Sequence, residues 1–160
     1  MIQLETRRVF LAGITRHPTE EWMQQVARNL TDSECGELTY QKYVLHDRDA
    51  KFCSSFSATL SEGGWQPLKL PARSPNLNAF AERWVRSVKQ ECLSKLILFS
   101  EASLKRVLAE YLAHYHTERN HQGKRNLLLF PASVDAPTPA KAIVCKQRLG
   151  GLLKYYARAA

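Results

Sequence analysis

The sequence predicts an α/β domain, and three observations carry the prediction. Short runs of β-branched and apolar residues alternate with stretches whose apolar residues fall at helical spacing, an order that suits a mixed or parallel sheet with helices against it. With 160 residues and 44% apolar content, the chain is long enough to bury a core without disulfides or a structural metal. Its four cysteines, Cys35, Cys53, Cys92 and Cys145, form no C-x-x-C pair and have no histidine at zinc-finger spacing, so they read as reduced thiols acting as small hydrophobes.

Each element follows from its own residues. Ile2 to Ile14 carries Val9, Phe10, Leu11 and Ile14 around Thr6-Arg7-Arg8, which predicts a strand, or two strands joined near Thr6. Thr19 followed by Glu20 and Glu21 is an N-cap with acids in the first turn; Trp22, Met23, Val26, Ala27 and Leu30 then predict an amphipathic helix to about Leu30. Residues 31–41 are loop-like, and Lys42 to His46 is a short strand that stops at Asp47-Arg48-Asp49. Ser54 or Ser55 to Glu62 reads as a helix closed by Gly63-Gly64, and Trp65 to Leu70 as a strand ended by Pro71.

From Asn76 to about Lys95, Leu77, Phe80, Ala81, Trp84, Val85, Val88 and Cys92 mark one long helix with a buried stripe. A second long helix runs from Glu101 to about His116 on Leu104, Val107, Leu108, Tyr111, Leu112 and Tyr115. Trp22, Trp65 and Trp84 read as core residues. Pro131, Pro137 and Pro139 then mark an extended linker to a basic tail, so the chain divides into 1–130 and 131–160. No stretch approaches the ~20 apolar residues of a membrane span, and the N-terminus lacks the apolar region of a signal peptide; the expectation is a soluble cytosolic protein with no membrane partner.

The formal net charge is +8, and five cations with no acid, Lys141, Lys146, Arg148, Lys154 and Arg158, fall within the last twenty residues. A basic tail invites a polyanion, with Tyr155 and Tyr156 placed to stack or pack alongside; it equally suits a merely solvated terminus. No aromatic block of the kind that reads RNA on an open sheet is present.

Two acids are placed where phosphate chemistry needs them: Asp47 at the end of a strand and Glu82 early in the long helix, on a flank shared with Asn78, Arg86 and Lys89. Asp and Glu oxygens can hold a pair of Mg²⁺ ions about 3.5–4 Å apart for in-line displacement at phosphorus. The same residues also suit a plain turn and an exposed i, i+4 ion pair between Glu82 and Arg86, worth about 0.2–0.5 kcal/mol. His114 and His116, two positions apart on a helix, point to different sides and do not share a metal. Arg119, Asn120 and His121 read as a helix end that caps, packs or touches phosphate.

Three blocks are more specific than their spacing: Val44-Leu45-His46-Asp47-Arg48-Asp49-Ala50-Lys51-Phe52, Leu70 to Trp84 through Ser74-Pro75-Asn76, and His114-Tyr115-His116-Thr117-Glu118-Arg119-Asn120-His121-Gln122-Gly123. Together they resemble the integrase catalytic core shared by retroviral integrases and bacterial insertion-sequence DDE transposases, most closely the bacterial branch. The resemblance implies an RNase H-like fold, with a five-stranded mixed sheet between helices, and hydrolysis or strand transfer at DNA phosphodiesters with Mg²⁺ or Mn²⁺. It implies Asp47 and Glu82 as catalytic and metal-binding acids, and Arg86, Lys89, Arg119 and Lys124 as DNA contacts. DNA is the implied partner, with a homo-oligomer or intact transposase subunits beside it, in a bacterial cytoplasm and on the nucleoid.

One departure stands out. The family's first aspartate lies on the first strand, upstream of the segment resembling Ile2 to Arg8, and Glu5 sits at a turn rather than at that position. The resemblance therefore implies an N-terminally incomplete core, its first strand missing and its chemistry impaired. Two readings follow: an impaired integrase core, or a catalytically silent module for DNA binding or subunit interaction. The missing portion is either lost, which makes the chain a transposase remnant, or supplied by another polypeptide, an alternative start or a frameshift.

Overall fold

A computed structural model of the chain describes residues 1–32, 43–131 and 142–158. These residues form four α-helices and two pairs of strands: α1 (Glu20–Thr31), β1 (Tyr43–His46), α2 (Ser54–Glu62), β2 (Gln66–Lys69), α3 (Ala79–Glu91), α4 (Glu101–Thr117), β3 (Ile143–Arg148) and β4 (Leu153–Arg158). The fold is mixed α/β. The chain separates into two compact units, one built from residue 1 and Phe10–Ala81, the other from Ile2–Val9 and Glu82–Ala160.

The first unit is built on a β-α-β segment. β1 and β2 pair in parallel, Tyr43 opposite Gln66 through His46 opposite Lys69, with α2 as the connection. Leu70 N–H donates to the His46 carbonyl at 2.9 Å, carrying the ladder one step past the strands. Val44 is buried between exposed Tyr43 and Leu45, the alternation of a strand with one covered face. That face meets Met23, Val26, Ala27 and Leu30 of α1, Phe56 and Leu60 of α2, and Trp65.

Local chemistry fixes both helices. Thr19 Oγ1 accepts the Trp22 amide at the head of α1, as its sequence predicts. α2 ends in a Schellman closure: Trp65 N–H donates to the Leu60 carbonyl at 2.9 Å and Gly64 N–H to Ser61 at 3.0 Å, with Gly64 at φ 82°. Gly63 is required for a different reason. A Cβ there would lie 2.7 Å from Thr31 Cβ at the end of α1.

The second unit centres on α4, which buries Val107, Leu108, Tyr111, His114 and Tyr115 and is capped by Ser100 Oγ accepting the Ser103 amide. α3 carries less of the expected helix than its periodicity predicts. Pro75–Asn78 form a 3₁₀ turn, the α-helix runs from Ala79 to Glu91, and Leu93–Lys95 form another 3₁₀ turn after Cys92, whose φ of −132° breaks the α conformation. The expected stripe is only partly covered: Val88 and Cys92 are buried, whereas Leu77 and Val85 are 51% and 40% exposed. Trp65 is a core residue as expected, Trp22 packs against the core partly buried, and Trp84 is half-buried.

Two readings of the termini change. Within Ile2 to Ile14 the two extended pieces meet in a single antiparallel bridge, Ile2 to Val9, around a turn at Leu4–Thr6, because Arg7 adopts φ 66° and ends the pairing. Residues 143–158, expected as part of a tail, are an antiparallel hairpin with Ile143 opposite Arg158 and Arg148 opposite Leu153. Leu149, Gly150 and Gly151, at φ 51°, 66° and 91°, make its turn. Glycine between two strand-forming runs is a hairpin signal that the basic composition masked. Cys35, Pro137, Pro139 and Lys141 lie outside the described residues, as does most of the loop predicted at 31–41.

Candidate active site

Asp47 is the first residue after β1, at the carboxyl end of a parallel strand, where ligands of open α/β sheets collect. Its backbone is fixed from both sides. His46, buried, has Nδ1 2.8 Å from the Asp47 carbonyl, so this ring nitrogen carries the proton and donates. The His46 ring packs on Phe52 and Phe56, with centroids at 4.9 and 6.3 Å. On the other side Arg48 Nε donates to the Leu70 carbonyl at 3.1 Å, tying the loop after β1 to the end of β2.

The Asp47 carboxylate is exposed, and its Oδ1 accepts the Asp49 amide at 3.1 Å. Asp49 repeats the pattern on Lys51: Oδ1 takes the amide at 3.1 Å and Oδ2 the ammonium at 2.7 Å. Hydrogen bonds from Lys51 hold the Asp49 carboxyl below its ordinary range. The turn is thus built by its own side chains, with Asp49 engaged by Lys51 and Asp47 presented at the strand end.

Glu82 lies in the first turn of α3, exposed, with Arg86 and Lys89 one and two turns on, both exposed. Asp47 belongs to the first unit and Glu82 to the second. Among the described residues no group of three His, Cys, Asp or Glu side chains is gathered to hold a metal. Hard carboxylate oxygens on exposed positions still suit Mg²⁺, which binds through one or two carboxylates together with substrate phosphates.

The other two cation candidates are differently placed. Arg119 is clamped on Glu91, Nε to Oε2 at 2.9 Å and Nη2 to Oε1 at 2.6 Å, and Tyr111 Oη donates to the same carboxylate at 3.0 Å. Burial alone would raise the Glu91 carboxyl, but the bonds from Arg119 and Tyr111 outweigh it and hold it below the usual range. The same contact with Glu91 raises the Arg119 guanidinium. Burial, and then Glu91, drive the Tyr111 phenol far upward, so it stays a donor. Arg119 thus performs the packing role among those its helix end suggested. Lys124 Nζ donates to the Glu5 carbonyl at 3.3 Å.

Two polar clusters are completed by partners distant in the chain, Arg148 in one and Val9 in the other. Arg148 at the end of β3 donates to both oxygens of Glu118, from Nε at 2.9 Å and Nη2 at 2.7 Å, and to Glu110 from Nη1 at 2.8 Å. His114 Nδ1 lies 3.1 Å from Glu118. Burial would raise the Glu118 carboxyl, but Arg148 and His114 more than offset it. In the second cluster the Val9 amide donates to His116 Nε2 at 3.0 Å, so that nitrogen is unprotonated. His121 Nε2 lies 2.8 Å from the Tyr115 carbonyl, and both imidazoles are lowered, first by burial. His116 and His121 are therefore structural groups, each held by a backbone contact and biased toward its neutral form.

Residues 64–127 match the integrase core domain family. This segment resembles integrase-core sequence. It runs from the end of α2 through β2, α3 and α4, and contains Glu82, Arg86, Lys89, Arg119 and Lys124, while Asp47 precedes it. No curated protein and no solved structure matches the chain. A match of this kind suggests DNA integration or transposition in general, with DNA as the partner. Among the described residues no helix is long and apolar enough to cross a membrane.

Proposed function

We propose that the chain is the DNA-processing part of a DDE-type integrase or transposase of RNase H-like fold, with Asp47 and Glu82 each contributing a carboxylate to divalent-metal binding. The observation that carries the reading is the integrase-core segment starting just before β2 and holding Glu82, joined to a parallel β1 that delivers Asp47 at its carboxyl end. Bound Mg²⁺ or Mn²⁺ would supply Lewis-acid chemistry at a DNA phosphodiester. Asp47, held by the His46 and Arg48 anchors, keeps its carboxylate outward. Arg86 and Lys89 neutralise backbone phosphates, which fixes position without reading sequence.

A second reading is a catalytically silent module that binds DNA or joins intact transposase subunits. On either reading residues 1–130 act as the core and the protein works in the cytoplasm on the nucleoid.

A nicking and strand-transfer assay with Mg²⁺ and Mn²⁺ separates the two readings when the chain is compared with an Asp47→Ala, Glu82→Ala double variant. Divalent-dependent cleavage lost in the variant is the expected result. Cleavage that survives the double substitution overturns the assignment of these acids. A folded protein that binds DNA and never nicks it establishes the silent module.

A further inference from the structure

Strand β4 of the β3–β4 hairpin sorts its side chains by alternation, whereas β3 is exposed as far as Gln147. Leu153 is buried, Tyr155 is half-buried under Lys146 Nζ at 5.8 Å from the ring centroid, and Arg148 turns to Glu118 and Glu110. Cross-strand partners share a face, so the opposite side presents Ile143, Cys145 and Gln147 against Arg158, Tyr156 and Lys154. All six are exposed, Ile143 at 69% and Tyr156 at 70%. Residues 143–158 contain four cations and no acid. Of these cations Arg148 is neutralised within the protein, while Lys154 stands two positions from Tyr156 on the outward face.

We propose that this outward face is a binding site for single-stranded DNA, separate from Asp47 and Glu82, with Tyr156 stacking on an unpaired base and Lys154 contacting the adjacent phosphate. Three features select an unpaired strand. An aromatic ring lying open on a β-surface is a stacking platform, and stacking on it requires a base whose face is free. Ile143 and Cys145 beside it suit base faces better than the polar edges of a duplex groove. The exposed Lys154 ammonium complements a phosphate chain. Alternation also decides between the two tyrosines of the sequence: Tyr156 is the stacking residue, and Tyr155 belongs to the covered side. The inference does not depend on the reading of the acids, because it concerns binding without cleavage.

Fluorescence anisotropy of the full chain with a labelled oligothymidylate of about 16 nucleotides tests it, with a matched duplex and an oligouridylate as further arms. The oligothymidylate is expected to bind more tightly than the duplex. Tyr156→Ala should weaken it about 5- to 100-fold, Tyr156→Phe should keep it, and Lys154→Ala should lower the log–log salt slope by about 0.7. Circular dichroism of each variant checks that the hairpin unit is folded. Duplex bound as tightly as the single strand, oligouridylate preferred over oligothymidylate, or a folded Tyr156→Ala variant with unchanged affinity overturns the proposal. So does a Tyr156→Ala variant that dissociates a dimer in sedimentation while binding DNA normally, which would make the face a contact between copies of this chain.

Discussion

At the scale of single residues, positive charge divides by what each side chain already holds. Arg119 sits in a two-point contact with Glu91 that also receives Tyr111, so its removal strands a half-buried carboxylate. Arg119→Ala should therefore cost about 1–2 kcal/mol, seen as a lower urea midpoint at unchanged slope. Arg86→Ala and Lys89→Ala, on exposed helix positions, should leave that midpoint within about 0.5 kcal/mol while each weakens DNA binding and flattens its salt dependence. Sequence placed all three among basic candidates by resemblance and could not sort them, because Glu91 and Arg119 are 28 positions apart and no helical or strand period links them. Asp47 was legible for the opposite reason: its setting, a strand end followed by a self-bonded turn, is local.

At the scale of elements, Arg148 ties the hairpin to α4 and its end. Arg148 spans Glu118, 5% exposed, and Glu110, so the last residue of β3 anchors the ribbon. Replacing it with methionine keeps the stem and removes the charge, leaving Glu118 buried with His114 as the described partner. Arg148→Met should destabilise the hairpin by about 2–4 kcal/mol, with the amides of β3 and β4 exchanging hydrogen far faster than those of α4. Elements whose signals are short-range were readable: the Thr19 cap, the Gly63-Gly64 closure and the apolar spacing of α1 and α4 fall where the sequence put them. The end of α3 and the hairpin were not. A break at Cys92 has no proline or glycine to announce it, and the basic charge of residues 143–158 suits a solvated tail as well as a hairpin turning at Gly150-Gly151.

At the scale of the whole molecule, stability should depend on pH in two windows. His116 and His121 are lowered from the ordinary value of 6.5, so folding favours their neutral forms. Their contribution is complete above that value and is lost as pH falls through it toward the folded values, because the unfolded chain takes up protons first. Glu91 and Glu118 are lowered from 4.5, and their contribution is lost in turn as pH falls below that value. A melting-temperature profile should fall below about pH 6.5 and more steeply below about pH 4.5. His116→Gln, which can accept from the Val9 amide without titrating, should make the first limb shallower. A first limb unaltered by that substitution would place its origin in other groups.

The sequence by itself determined the α/β character, most helix starts and stops, the basic balance and the position of Asp47 at a strand end, because caps, turns and periodicity act over a few residues. Tertiary structure decided what those signals cannot carry. It turned part of the expected basic tail into a ribbon whose second strand alternates covered and open residues, and left much of the α3 stripe uncovered. It also gave Arg119 and Arg148 to acids far along the chain. Such pairings are set by which elements pack together, and a charge is committed or available only once its neighbours in space are known.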